Sequence, residues 1–119
     1  MESKNSKYKA AIERREWEER RELCSKFRRA WATANRASKL MKTQFGVKKV
    51  AVIGSLTDDR LFHHRSDVDL VVWGLAENLY FPAVARLLDL DTEHRIDLVR
   101  IEDTGDFFKK TIEQEGVFI

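Results

Sequence analysis

The chain has 119 residues, 43% of them hydrophobic and 35% charged, with a net charge of +2; that suits one domain with one modest core and is too small for a catalytic domain plus a substrate-binding domain. No apolar run reaches the ~18 residues of a membrane span and no basic-then-apolar leader is present, so neither membrane insertion nor export is expected. A single cysteine, Cys24, rules out an intrachain disulfide framework, and a cytoplasmic protein is expected.

The charge is unevenly spread. Residues 1–49 carry 15 Lys/Arg against 6 Asp/Glu, or +9, and residues 50–119 carry 7 against 14, or −7. The basic half coincides with the first predicted element. From about Tyr8 to Phe45 there is neither proline nor glycine, and strong helix formers dominate. Trp17, Cys24, Phe27, Trp31, Ala34, Ser38, Met41 and Phe45 recur in steps of three and four, with Leu23, Ala30 and Leu40 broadening the stripe. That pattern predicts a long amphipathic helix lying on a sheet, with Gly46 supplying the left-handed residue that ends it. Before Leu23 the stripe thins to Tyr8, Ile12 and Trp17, so residues 1–22 are expected to project as a basic helical arm from a single domain over 23–119. Acidic residues interrupt this basic half and stacking aromatics are few, so a solvated helix face is expected and nucleic acid is not the expected partner.

Lys48–Ile53 is short and rich in β-branched residues and is punctuated by Gly54-Ser55, which predicts a largely buried strand. A glycine followed by a hydroxyl at that point lets backbone N–H groups approach a bound phosphate. The loop Leu56–Arg65 contains Asp58, Asp59, His63, His64 and Arg65, with Leu61 and Phe62 as its expected anchors. Two adjacent histidines without Cys or a spaced third His leave a zinc ligand set incomplete. A second strand opens at Asp67. Alternation places Asp67, Asp69, Val71 and Trp73 on one face and Val68, Leu70 and Val72 on the other. Two carboxylates about 6–7 Å apart on one strand face repel each other unless a cation lies between them, which suits a hard divalent ion.

After Gly74, Asn78 is the expected cap of a helix over about Leu79–Leu90, with Phe81, Val84, Ala85, Leu87 and Leu88 as its apolar face. In the third strand, Arg95–Ile101, the residues Arg95, Asp97, Val99 and Ile101 share a face. An acidic residue inside an apolar strand is costly to bury unless paired or metal-bound, which makes Asp97 the candidate third carboxylate. A last helix begins within Asp103–Asp106 and stops at Gly116. Val117-Phe118-Ile119 is an apolar tail, either tucked into the core or offered to a partner.

Gly-Ser after a strand, Asp-x-Asp opening a second strand and one Asp on a third together resemble the polymerase-beta-like nucleotidyltransferase superfamily. Within it, the short chain resembles the minimal nucleotidyltransferases that act as antitoxins of HEPN-type toxins. The resemblance spans roughly Phe45 to Gly116. Where many members carry Ala-Arg-Gly after the Gly-Ser, this chain has Leu56-Thr57-Asp58-Asp59-Arg60, and its loop is one residue longer than the commonest form.

The resemblance implies an α/β (α+β) fold in which a small mixed sheet of three to four strands is flanked by helices. It implies Asp67, Asp69 and Asp97 as catalytic, metal-binding residues holding two Mg2+, with Gly54 and Ser55 on the triphosphate of ATP. The implied activity is transfer of AMP to a hydroxyl, a tyrosine, of a HEPN-type ribonuclease toxin that is thereby neutralised within a hetero-oligomer. The alternative is an antitoxin that neutralises its partner by binding alone.

Overall fold

A computed structural model of the chain describes residues 4–91 and 93–119; the first three residues of the expected arm lie outside the described residues. Helix α1 (Lys4–Gln44) precedes strands β1 (Lys49–Ile53) and β2 (Val68–Trp73), helix α2 (Tyr80–Leu88), strand β3 (Ile96–Arg100), helix α3 (Asp106–Glu115) and strand β4 (Val117–Phe118). The strands form one mixed sheet in the order β3-β2-β1-β4. β1 runs antiparallel to β2 and to β4, while β2 and β3, joined through α2, are parallel. The expected small mixed sheet with flanking helices is the observed architecture.

Strand alternation divides the core in two. Val50 and Val52 of β1, Val68, Leu70 and Val72 of β2 and Leu98 of β3 pack under α1 and α2. On the opposite face Ala51, Val71 and Ile101 meet Ile112 of α3. Both faces of β1 are therefore buried, which is why Lys48–Ile53 reads as a nearly continuous apolar run.

α1 contacts the sheet only through its second half. Ala30, Ala34, Ala37 and Met41 are buried there, together with Thr33 and Ser38, and these mostly small side chains let the helix lie close to the strands. Cys24 is exposed, contrary to expectation. At about 100° per residue it sits roughly a quarter turn from the middle of the Phe27-Ala30-Ala34-Ala37-Met41 stripe, so the expected spacing followed the stripe's edge. Gly46, at φ 68°, ends α1 as expected. Every described side chain from Asn5 to Glu22 is exposed, Tyr8 at 66% and Trp17 at 59%. Among the described residues no helix is long and apolar enough to cross a membrane.

Three further expectations are corrected. Leu61 is 62% exposed; Phe62 anchors the loop as expected, its ring meeting Phe27 edge-on at 5.1 Å, and buried Leu56 is the second anchor in place of Leu61. Asn78 does not cap α2 but lies in a short 3-10 turn, Glu77–Leu79, and the helix stops at Leu88. α2 buries Ala83 and Leu87, leaving Phe81 at 80% and Leu88 at 67% exposure. Those two residues are apolar but stay exposed, which side-chain hydrophobicity alone does not reveal.

The apolar tail joins the sheet as edge strand β4, with Ile119 packed against the core, but it is not tucked into the core as a whole: Val117 and Phe118 stay 40% and 47% exposed. β4 pairs Phe118 with Ala51 and Val117 with Val52. Ile119 N–H donates to the Val50 carbonyl at 3.0 Å, and the Ile119 main-chain oxygen accepts from Lys42 Nζ at 2.6 Å and Ser38 Oγ at 3.3 Å.

Candidate active site

β1 ends at Gly54, whose φ of 77° lies in the left-handed region open to glycine at little cost. A Cβ at that position would stand 2.6 Å from Asp69 Oδ2. The glycine thus satisfies two demands at once: a reversal of the chain and a backbone surface flat enough to take a carboxylate against it. Residues Gly54–Thr57 form a 3-10 turn pinned inward by buried Leu56, and Thr57 Oγ1 donates to the Gly54 carbonyl at 2.7 Å. Ser55 is half-buried in this turn.

The strand register assembles the carboxylates. Ile53 is the antiparallel partner of Asp69, and Asp69 is the parallel partner of Asp97. In-register neighbours on adjacent strands lie about 4.8 Å apart, so Asp69 and Asp97 stand side by side on the face that carries Val71 and Val99. Burial pushes the Asp69 carboxyl up to about 6, and the charges of Asp97 and Asp67 add to the shift, as does a hydrogen bond with Asp97; Arg95 opposes it. Arg95 Nε donates to Asp97 Oδ1 at 3.0 Å. Asp69 and Asp97 are thus in direct contact, while Asp67, just before β2, acts on Asp69 through its charge. Among the described residues no three His, Cys, Asp or Glu side chains converge closely enough, as they stand, to enclose a metal ion.

The loop that delivers Asp67 is held by Ser66. His63 N–H donates to Ser66 Oγ at 2.9 Å, and Ser66 N–H donates to the His63 carbonyl at 3.0 Å. Arg60 is committed to Asp58 through Nε and Nη2, whereas Arg65, His63 and His64 are exposed. Two depressions meet at Ile53. One, of about 360 Å³, lies beside Gly54 and Ser55 and is walled by Leu61, Phe108 and Thr111. The other, of about 660 Å³, runs along Asp69, Asp97 and the outer side of β3 below Tyr80, Val84 and Leu88.

Sequence reasoning missed the clamp behind β3. Thr33 Oγ1 donates to Asp91 Oδ2 at 2.6 Å, buried His94 holds Nδ1 2.9 Å from the same oxygen, and Glu93 N–H donates to Asp91 Oδ1 at 2.7 Å. Desolvation pulls the Asp91 carboxyl upward, yet the bonds from Thr33, His94 and the Glu93 amide together take it down to about 2. The only signal in the sequence was the spacing Asp91-x-x-His94. This clamp fixes α1 to the loop entering β3, and with it the position of Asp97.

The family model described as polymerase beta, nucleotidyltransferase matches residues 35–119. The chain belongs to this nucleotidyltransferase family. Solved structures with the same fold include a toxin–antitoxin with AMP-PNP, at 18% identity and TM-score 0.60 over 71% of this chain and 70% of that one. Another is a double aspartate-to-glutamate mutant of the toxin–antitoxin MntA–HpeT, at 16% identity and TM-score 0.58 over 71% and 70%. A third is a tri-AMPylated Shewanella oneidensis HEPN toxin in complex with MNT antitoxin, at 15% identity and TM-score 0.53 over 75% and 70%. No curated protein matches the chain. Within the nucleotidyltransferase match fall all of Gly54, Ser55, Asp67, Asp69 and Asp97, whereas the exposed first half of α1 precedes it.

Proposed function

We propose that this nucleotidyltransferase is an antitoxin that transfers AMP from ATP to a tyrosine hydroxyl of a HEPN-type ribonuclease toxin and so silences it. The observation that carries the reading is the in-register pair Asp69 and Asp97 with the Gly54 backbone laid against Asp69. Toxin–antitoxin complexes that share the fold, one with AMP-PNP and one with an AMPylated HEPN toxin, support the choice of nucleotide and partner.

The donor set fits a hard divalent cation. Burial, with the charges of Asp97 and Asp67, raises the Asp69 carboxyl to about 6, and an oxygen-seeking ion among the carboxylates would relieve their repulsion. Asp67, Asp69 and Asp97 would hold the ions, two Mg2+ on this reading, which neutralise the charge of the triphosphate and of the oxygens that bond and leave. Gly54 and Ser55 hold the triphosphate through main-chain N–H groups and a hydroxyl. The neighbouring 360 Å³ hollow under Phe108 is large enough for part of a nucleoside. The acceptor oxygen bonds to the α-phosphorus as that atom's bond to the pyrophosphate oxygen breaks. Asp97 takes the hydroxyl proton, and pyrophosphate departs.

The test is intact-mass spectrometry of a HEPN-type partner coexpressed with this chain or with its Asp67→Asn, Asp69→Asn form. Gain of one or more adenylyl groups with the unaltered chain alone is the expected result. Equal gain with the double variant removes the site assignment. A stable complex with no mass gain would instead assign neutralisation to binding without catalysis.

A further inference from the structure

Among the described residues no strand pairs with the outer edge of β3, and its free groups flank a proposed catalytic carboxylate. β3 ends the sheet on its side. Val68 N–H donates to the Arg95 carbonyl at 2.8 Å, and the register Val68↔Ile96, Leu70↔Leu98 then turns the main-chain groups of Asp97 and Val99 toward β2 as well. Successive residues of a strand present these groups to opposite edges, so Ile96 and Leu98 present theirs outward. The Leu98 carbonyl already accepts Tyr80 Oη at 2.7 Å. The Ile96 N–H, the Ile96 carbonyl and the Leu98 N–H have no partner among the described residues. These three groups sit on either side of Asp97.

An edge of this kind is normally blunted by proline, lysine, a bulge or a covering loop. Here it lines the 660 Å³ groove, whose upper wall is Val84 and Leu88 of α2. Leu88 is largely exposed, as is Phe81, which stacks edge-on against Tyr80 with ring centroids 5.5 Å apart. The groove therefore offers a row of backbone donors and acceptors, an apolar wall on one side of the pleat and two carboxylates on the other.

Resting on the transfer reading above, we infer that this edge receives the acceptor. An extended segment of the partner protein adds beside Ile96–Leu98 as a fifth strand, with its hydroxyl-bearing side chain opposite Asp97. Pleating fixes the rest of the pattern. The residue paired with Asp97 shares its face and so faces the carboxylates, while the residues before and after it face Val84 and Leu88. The recognised segment is thus apolar, hydroxyl, apolar. An acidic residue in the central position is repelled by Asp69 and Asp97. Main-chain bonds supply affinity and the two faces supply selectivity, as in other strand-addition complexes.

The experiment is residue-resolved amide exchange by NMR on the chain alone and in complex with the HEPN-type partner, joined to a transfer assay of Ile96→Pro. Proline there removes an outward N–H and leaves the β2 ladder intact. In the free chain the Ile96 and Leu98 amides are expected to exchange faster than those of Asp97 and Val99, and in the complex to slow by about tenfold or more. Ile96→Pro, its fold verified by its own amide spectrum, should lose up to about tenfold of the transfer rate, one of the three main-chain bonds being withdrawn. Unchanged exchange at Ile96 and Leu98 in a complex that supports transfer overturns the inference, as does full transfer by a folded Ile96→Pro chain. Protection that appears in the chain alone with rising concentration and a doubled mass would assign the edge to a second copy instead. Should the unaltered chain fail to modify the partner, the transfer reading falls and this inference with it. Should Ile96→Pro fail to fold, the exchange measurement on the unaltered chain decides.

Discussion

Asp69 concentrates the site's electrostatics in one side chain. Its folded-state pKa is raised from 3.8 to about 6, so the folded chain binds a proton more tightly than the unfolded chain does. Stability contributed by this group is therefore present at low pH and lost as pH rises from about 4 to about 6. Asp69→Asn removes the ionisable group and should raise the melting temperature by a few degrees at pH 8 while changing little at pH 4. Melting curves of both chains at the two pH values test this, and an equal shift at both would dissociate the effect from ionisation. Gly54→Ala probes the same contact from the other side. At φ 77° a side chain costs about 1–2 kcal/mol, and its Cβ 2.6 Å from Asp69 Oδ2 forces the carboxylate to move. The expected result is a loss of that size in urea denaturation together with a far larger loss of AMP transfer. A variant that kept its transfer rate would show that the position of Asp69 does not matter.

Elements were legible in the sequence wherever geometry leaves no choice. The pleat has a period of two, so the sharing of a face by Asp69 and Val71, and by Asp97 and Val99, could be read from spacing alone. What spacing could not give was the parallel register that brings Asp97 beside Asp69, because that depends on how α2 carries the chain back across the sheet. Helices were read less well. A helix can display apolar residues on more than one face, and α1 and α2 both do: Cys24, Phe81 and Leu88 look like core in the sequence and are exposed. β4 is only two residues long, too short to carry a pattern. The Asp91 clamp escaped because its third member, Thr33, lies 58 residues away on α1. Thr33→Val is expected to cost about 1–3 kcal/mol in urea denaturation, since it leaves a largely buried carboxylate oxygen short of a donor. No loss would mean that His94 and the Glu93 amide satisfy Asp91 without it.

Over the whole molecule, the uneven charge finds its explanation in how α1 lies across the rest. Arg29 pairs with Glu93 at 2.9 Å, Lys26 reaches the His64 carbonyl, and Lys42 reaches Ile119. Three basic side chains of the second half of α1 thus reach the acidic half of the chain, one of them in an ion pair. The first half of α1 has no such role. A 41-residue helix runs about 60 Å, nearly the 70 Å long axis of the molecule, yet the buried stripe begins only near Leu23. Arg21 lies over the Trp17 ring, 5.2 Å from its centroid, so even this large side chain finds its contact on its own helix. A chain lacking residues 1–19 is therefore expected to fold with a melting temperature within about 3 °C of the full chain, since exposed residues of this kind contribute little individually. A larger fall would mean that the arm packs on the domain. Retained folding with a weakened complex would make residues 1–19 a contact surface for the proposed HEPN-type partner, in addition to the proposed β3 edge.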